Sequence, residues 1–246
     1  VDDDELMVVL VAACAAVRGA LLSLEDWGLA GTRSGQYLSD LAADEAAIAV
    51  LSSAGLGVLS EESGLHDEGR SLFAVLDPVD GSTNASRSLP WYATSICVLD
   101  EKGPRAALVV NQSSGISYEA VRGRGARRDG LAIAPSGATE LSRSIIGLSG
   151  SPKRPYGWRQ YRSLGAAALD LCCVADGTLD GYVDCADRSH GPWDYLGGML
   201  VCIEAGASVA ETNGIELITR DPHERRSPVA AATEKLLGEL LEQRRA

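Results

Sequence analysis

The stretch Leu72-Phe73-Ala74-Val75-Leu76-Asp77-Pro78-Val79-Asp80-Gly81-Ser82-Thr83-Asn84 decides how the rest of the chain is read. Leu72 to Leu76 is a continuous apolar run with the length of a strand buried on both faces. It terminates at Asp77, and a carboxylate at a strand end points into whatever cleft the sheet edge opens. Pro78 fixes its own φ and removes a backbone donor. Val79 can turn its carbonyl toward the same cleft, Asp80 faces it from the next turn, and Gly81 permits close backbone approach or a positive φ. Two carboxylates, one carbonyl and a hydroxyl then converge on one point, an all-oxygen set suited to Mg2+. Chance offers a competing account: with 34 acids in 246 residues, acid pairs three apart arise without function, and Asp-Gly is a common turn.

Two other acidic segments lie outward from this core. Val58-Leu59 reads as a short buried strand ending at Ser60-Glu61-Glu62. Adjacent strand residues point to opposite faces, so at most one of the two glutamates faces a given ion; a solvated loop explains the pair as well. Gly191-Pro192-Trp193-Asp194 opens a helix, where an acid can simply favour the dipole. His190 lies four residues before Asp194, whereas His66 and His223 have no matching spacing, so a histidine-rich transition-metal site is not expected.

The remaining periodicities give a helix from about Asp4 to Trp27, a loop from Gly28 to Gly35 and a helix from Ser39 to Ala54. Strands follow at Thr94–Leu99, Ala106–Val110 and Ile116–Val121, with a hairpin turn at Asp129-Gly130. Beyond a polar stretch from Ser149 to Arg162, helices are expected at Ala166–Ala175, Pro192–Ala205 and Thr233–Arg245. Strands are expected at 181–183, 207–210, 216–219 and 229–232, with Asn213-Gly214 as a turn. Two sheets with helices between and around them fit this order, so the fold class is α+β or layered α/β. No repeat or linker divides the chain. It reads as one unit, 1–246, with a metal- and phosphate-binding half at 1–140 and a second half at 141–246 that supplies Asp194.

Composition bounds the function. The chain is 46% apolar and only 5% aromatic, so its core is built from Ala, Val, Leu and Ile. A net charge of −12 repels nucleic acid and anionic membrane surfaces, so neither is an expected partner. An anionic substrate would therefore need local cations, from Arg or Lys or from bound metal. Cys14, Cys97, Cys172, Cys173, Cys185 and Cys202 stand in apolar stretches without zinc-ligand spacing and read as buried thiols in a reducing compartment. The segment before Leu10-Val11-Ala12-Ala13-Cys14 is acidic, unlike the positively charged start of a signal peptide. The apolar run Leu6 to Val17 is short for a bilayer span, and the expectation is a cytoplasmic protein.

Together the three acidic pieces resemble the inositol monophosphatase family. Its signature is an acid pair after a strand, then D-P-[IV]-D-G-[TS]-x-N, then W-D at a helix start far downstream. These read here as Glu61-Glu62, Asp77 to Asn84 and Trp193-Asp194. Arg162-Ser163-Leu164-Gly165-Ala166-Ala167 before a helix and Glu204-Ala205-Gly206-Ala207 after Asp194 extend the likeness over nearly the whole chain. The resemblance implies an αβαβα sandwich of the sugar-phosphatase kind. It implies Mg2+ ions held by Glu61, Asp77 and the carbonyl of Val79, and by Asp77, Asp80 and Asp194, with a third, weaker ion near Glu61. It also implies phosphate contacts from the amides of Gly81 and Ser82, and a water-orienting hydroxyl on Ser82 supported by Asp44. Arg33 would sit in a loop beside the metals, and Asp80, Asp184 and the backbone of Ala167 would touch the alcohol. A homodimer and inhibition by lithium are further implications.

The function these features imply is Mg2+-dependent hydrolysis of a small polyol phosphate monoester by metal-activated water, with myo-inositol monophosphate leading. Fructose 1,6-bisphosphate, histidinol phosphate and 3′-phosphoadenosine 5′-phosphate are alternative substrates for the same chemistry. A non-catalytic protein that binds metal or phosphometabolites is the alternative of a different class. Three departures bear on the substrate: Ala85 replaces a large aromatic after the Asn, the 149–162 stretch is short, and the 184–194 loop is long. No G-x-x-x-x-G-K-[ST] loop is present.

Overall fold

The computed structural model describes residues 2–32 and 35–246. In chain order its first half holds α1 (Asp3–Leu22), α2 (Leu38–Ser53), β1 (Gly57–Ser60), β2 (Gly64–His66), β3 (Phe73–Asp80), α3 (Ser82–Ser86), β4 (Ala93–Asp100), β5 (Gly103–Asn111), β6 (Ser117–Val121), β7 (Ala126–Arg128) and β8 (Leu131–Ala132). The second holds β9 (Ile145–Ser149), β10 (Gln160–Arg162), α4 (Ala167–Ala175), β11 (Gly181–Asp184), α5 (Pro192–Ala205), β12 (Ser208–Glu211), β13 (Pro228–Ala231) and α6 (Glu234–Arg245). The first sheet runs β2-β1-β3-β4-β5-β6-β7-β8 and is antiparallel except for the β1–β3 pair. The second runs β10-β9-β11-β13-β12, with β10, β9 and β11 parallel.

Helices α1 and α2 cover one face of the first sheet, α4 and α5 lie between the sheets, and α6 closes the far face of the second. The result is the αβαβα layering that the resemblance implies. Three apolar clusters follow it: one under α1 and α2, one around α4 and α5, and one beneath α6. All six cysteines are free and buried within these layers, as their apolar surroundings predict.

Helix ends follow the local chemistry of the sequence. Asp2 accepts from the Glu5 amide at 2.8 Å while Glu5 reaches back to the Asp2 amide at 3.0 Å, a reciprocal cap on α1. α5 starts with Pro192 and ends at Gly206, whose φ of 95° suits a residue without Cβ. α1 spans 20 residues and is long and apolar enough to cross a membrane by length and composition, more than the Leu6–Val17 run indicates. Here its Leu6, Leu10, Ala13, Cys14, Val17 and Leu21 form the buried stripe of a layered fold.

Four expectations change. The first helix, expected to reach Trp27, ends at Leu22. The strand foreseen at 72–76 runs from Phe73 through Asp80, because it continues past a bulge described below. The stretch from 149 to 162 contains the end of β9 and all of β10. The strand foreseen at 216–219 is absent: Thr212 N bonds Ser227 O at 3.0 Å and the intervening residues leave the sheet as a long excursion.

Close packing of α5 depends on two glycines. A Cβ on Gly197 would stand 2.5 Å from Ser95 Oγ, and one on Gly198 would stand 2.6 Å from Leu171 Cβ and 2.9 Å from Ala168 O. The first lets α5 lie on β4 and the second lets it lie on α4. Gly198→Ala is expected to destabilise the protein by about 1–3 kcal/mol through overpacking. A thermal melt checks this, with roughly 2–4 °C lost per kcal/mol in a chain of this size.

Candidate active site

Ligand oxygens of Glu61, Asp77 and Asp194 all lie within 4.8 Å of one another. Three separate elements bring them there. Glu61 follows β1, where its amide bonds Leu76 O at 3.1 Å and so extends the parallel pairing beside β3. Asp77 comes from β3 itself and is 1% exposed. Asp194 is in the first turn of α5, where one carboxylate oxygen accepts from the Gly191 amide at 2.6 Å.

The Pro78 region explains how two acids three apart serve one cleft. In an unbroken strand, residues i and i+3 point to opposite faces. Here Asp77 pairs with Ser95 and Asp80 with Ala93, so Pro78 and Val79 oppose Thr94 alone. This extra residue is a β-bulge, which re-aims the side chains that follow it. Proline suits it because a bulge needs no ladder donor. Thr94 Oγ1 donates to Pro78 O at 2.9 Å, and the Val79 amide donates to Asp77 Oδ1 at 3.0 Å, fixing both the bulge and the first carboxylate.

Asp80 is not part of the tight three-acid group. Its two oxygens accept from the amides of Ala167 at 3.2 Å and Ala168 at 2.7 Å, so a residue of the first sheet caps α4. Burial pushes its pKa up to about 7, with the Asp194 charge adding and the Ala168 and Ala167 amides opposing. Burial, followed by the charges of neighbouring acids, holds both Glu61 and Asp77 well above the usual carboxylate range. His190 is pushed to about 9: burial opposes its charge, but Asp194, whose oxygen is 3.4 Å from Nδ1, and then Asp184 and Asp80 outweigh that. Such a concentration of buried acids is the chemistry of a divalent-cation site made only of oxygen donors, and the residues present fit Mg2+.

The other expected residues fall variously. Gly81 has a φ of 88° and precedes the short α3, whose first residue, Ser82, borders the same cavity as Glu61. Asp44 takes a different partner from the one the resemblance implies. Because α2 packs over β1, Asp44 accepts from the hydroxyl of Ser60, not from Ser82. Ala167 borders a smaller cavity, although its amide is engaged by Asp80. Asp184 is fully buried, with its oxygens on the Ala186 amide and the Ser189 hydroxyl. It therefore stands behind His190 rather than at the surface where an alcohol would touch it. Val79 is buried in the bulge, and Arg33 lies outside the described residues.

Two cavities flank the acids. The larger, about 540 Å3, is bordered by Gln36, Glu61, Ser82, Trp193, His223 and Arg225. The smaller, about 160 Å3, is bordered by Asp80, Ser149, Ser163, Ala167, Asp170 and His190. Sequence reading singles out neither Arg225 nor Asp170. Asp170 is held by the Trp91 indole at 2.9 Å on the inner face of α4, a tertiary contact without a local pattern. Arg225 stands in the 212–227 excursion, beyond the strand expected at 216–219; its one visible signal is the His223-Glu224-Arg225-Arg226 run.

The model of the inositol monophosphatase family matches residues 38–246. A fructose-1,6-bisphosphatase/inositol-1-monophosphatase of Archaeoglobus fulgidus is 33% identical over 92% of this chain and 92% of its own. The putative Nus factor SuhB of Neisseria meningitidis is 32% identical over 75% of this chain and 73% of its own. Among solved structures, a Pyrococcus horikoshii protein described as having similarities to inositol-1 monophosphatase superposes with a TM-score of 0.84 at 26% identity. It covers 98% of this chain and 96% of that one. The chain belongs to the inositol monophosphatase family and is a phosphatase at that level of description.

The raised carboxylates set the sign of the pH dependence. Folded Glu61, Asp77 and Asp80 keep protons that the unfolded chain releases near pH 4. Folded His190 likewise keeps its proton up to about pH 9. The folded state therefore binds more protons across this window, and stability falls as pH rises through it. The metal-free protein is expected to melt at a lower temperature at pH 8 than at pH 5, with Mg2+ raising the melting temperature more at pH 8. A metal-free stability that climbs over this interval would contradict the electrostatics.

Proposed function

We propose that the protein hydrolyses small polyol phosphate monoesters with Mg2+, and that myo-inositol monophosphate is the leading substrate. The observation that carries this reading is the convergence of Glu61, Asp77 and Asp194 within 4.8 Å, with Asp77 four residues before the Gly81-Ser82 turn. Glu61, Asp77 and the Val79 carbonyl would hold one ion; Asp77, Asp80 and Asp194 would hold a second, with a third, weaker ion near Glu61. When bound, the ions supply neutralisation of the phosphate charge, a lowered pKa for the attacking water and stabilisation of the leaving alkoxide.

The chain's own groups do the rest. The amides of Gly81 and Ser82, at the start of α3, hold phosphate oxygens. Ser82 Oγ orients the attacking water and Glu61 stands to accept its proton, while Asp44 steadies this wall through Ser60. Asp80 and the backbone around Ala167 border the cavity that takes the alcohol. The two halves, 1–140 and 141–246, act as one unit in this reading because Asp194 completes a set begun by Glu61 and Asp77. A homodimer, lithium inhibition and a cytoplasmic location belong to the same reading and rest on family membership. Fructose 1,6-bisphosphate is the second substrate to consider, because the Archaeoglobus relative is described by both activities.

Phosphate release from myo-inositol 1-phosphate should require Mg2+, stop with EDTA and return when Mg2+ is restored. Turnover independent of metal would overturn the mechanism. Comparison of kcat/KM for this ester and fructose 1,6-bisphosphate ranks the two substrates. Asp77→Asn should lower kcat by more than about 100-fold, the scale of losing one electrostatic stabiliser. Its metal-free melting temperature should match or exceed that of the wild type, since Asn keeps the side-chain shape and an acceptor for the Val79 amide without the cost of a buried acid.

A further inference from the structure

Residues 212–227, between β12 and β13, are anchored at both ends and in the middle. The Glu211 carboxylate accepts from the amide of Ile215 at 3.2 Å, and Tyr195 Oη donates to Leu217 O at 2.6 Å. Arg226 is 4% exposed; its Nε donates to Glu216 O at 2.7 Å and its Nη2 pairs with the Glu224 carboxylate. The amide of Arg226 also donates to His190 O at 2.9 Å, and that of His190 to Arg226 O at 3.2 Å. This exchange ties the segment to the residues leading into α5. Arg225 is consequently fixed beside the acid group, with its guanidinium 5.1 Å from the centroid of the Trp193 ring, next in sequence to Asp194.

The guanidinium is oriented as well as placed. Its Nη1 donates to Pro222 O at 2.8 Å and to Glu224 O at 2.9 Å, while Nε and Nη2 make no hydrogen bond to the described residues. Among the described residues bordering the 540 Å3 cavity, Arg225 is the one permanently charged cation; His223, Asp40, Glu61 and Glu62 also border it. The two cavities share no bordering residue. In the reading above the alcohol enters the smaller one, and attacking and leaving oxygens stand roughly in line across phosphorus. The larger cavity is therefore the side of the phosphoryl oxygens and the incoming water. Two adjacent N–H groups of a guanidinium match two phosphate oxygens.

We propose that Arg225 binds the phosphoryl group through Nε and Nη2, is indifferent to the alcohol that carries it, and holds inorganic phosphate before it leaves through the larger cavity. The proposal rests on the phosphatase reading. It is tested with Mg2+-loaded full-length protein and Arg225→Gln, using para-nitrophenyl phosphate and myo-inositol 1-phosphate as substrates and inorganic phosphate as inhibitor. Loss of a charge-assisted contact should raise both KM values and the phosphate inhibition constant by a common factor of about tenfold or more. Arg225→Lys should recover part of the loss by restoring the charge without the planar fork. A separate readout needs no turnover: inorganic phosphate should raise the melting temperature of the loaded wild type more than that of Arg225→Gln. Unchanged KM and inhibition constants, or a change confined to one ester, would overturn the proposal. Absence of turnover in the wild type would instead defeat the phosphatase reading, and the melting shift would still decide whether Arg225 binds phosphate.

Discussion

The burial of several carboxylates at one point, and the repulsion among them that it sharpens, is the constraint around which this molecule is organised. Glu61 is driven toward its protonated form by burial and then by the charge of Asp194, and Asp77 by burial and then by the charge of Glu61. Side chains left to their own energetics would separate. They stay together because each is fixed by backbone it does not control: the β1–β3 pairing, the bulge at Pro78 and the first turn of α5. Folding thus stores an electrostatic cost at one point and covers it with layered packing elsewhere, a common arrangement at functional sites.

The packing that covers this cost is made of small pieces. With only 5% of the chain aromatic, the layers meet mostly through Ala, Val and Leu, with Tyr182, Tyr195 and Phe73 the few large rings fully buried among them. Close approach replaces bulk, as at Gly197 and Gly198, where α5 touches β4 and α4 almost backbone to side chain. Because α5 carries Asp194, the seating of this helix is also the seating of the third acid. A packing detail in the core and the reach of a carboxylate in the cleft are one problem.

Much of this was legible in the sequence, and for identifiable reasons. The apolar strand core at 72–76, the acidic stretch that opens α1 and the Pro192 start of α5 are written in local chemistry that acts over a few residues. The three acidic segments could be grouped because family likeness supplied the long-range information that periodicity lacks. What escaped depended on contacts between distant parts. β9 and β10 lie in or beside a stretch dominated by polar residues, and strandedness there is conferred by the pairing of β9 with β11 and of β10 with β9. The 216–219 segment has the alternation of a strand but finds no partner edge. Asp44 was expected to support Ser82, yet the way α2 sits on β1 gives it Ser60. Asp184 was expected at the alcohol, but the turn after β11 folds its own amide and hydroxyl groups onto it. Arg225 is marked in the sequence only by the His223-Glu224-Arg225-Arg226 run; its placement over the Trp193 ring is a tertiary contact.

Asp80 and Asp194 each take a hydrogen bond from the opening turn of a helix, α4 in one case and α5 in the other. Two helix axes therefore start at the same small volume, and each contributes the equivalent of roughly half a positive charge there. That potential is built from peptide groups, so it neither titrates nor exchanges with solvent. It offsets part of the acids' negative charge regardless of which ions happen to surround the protein.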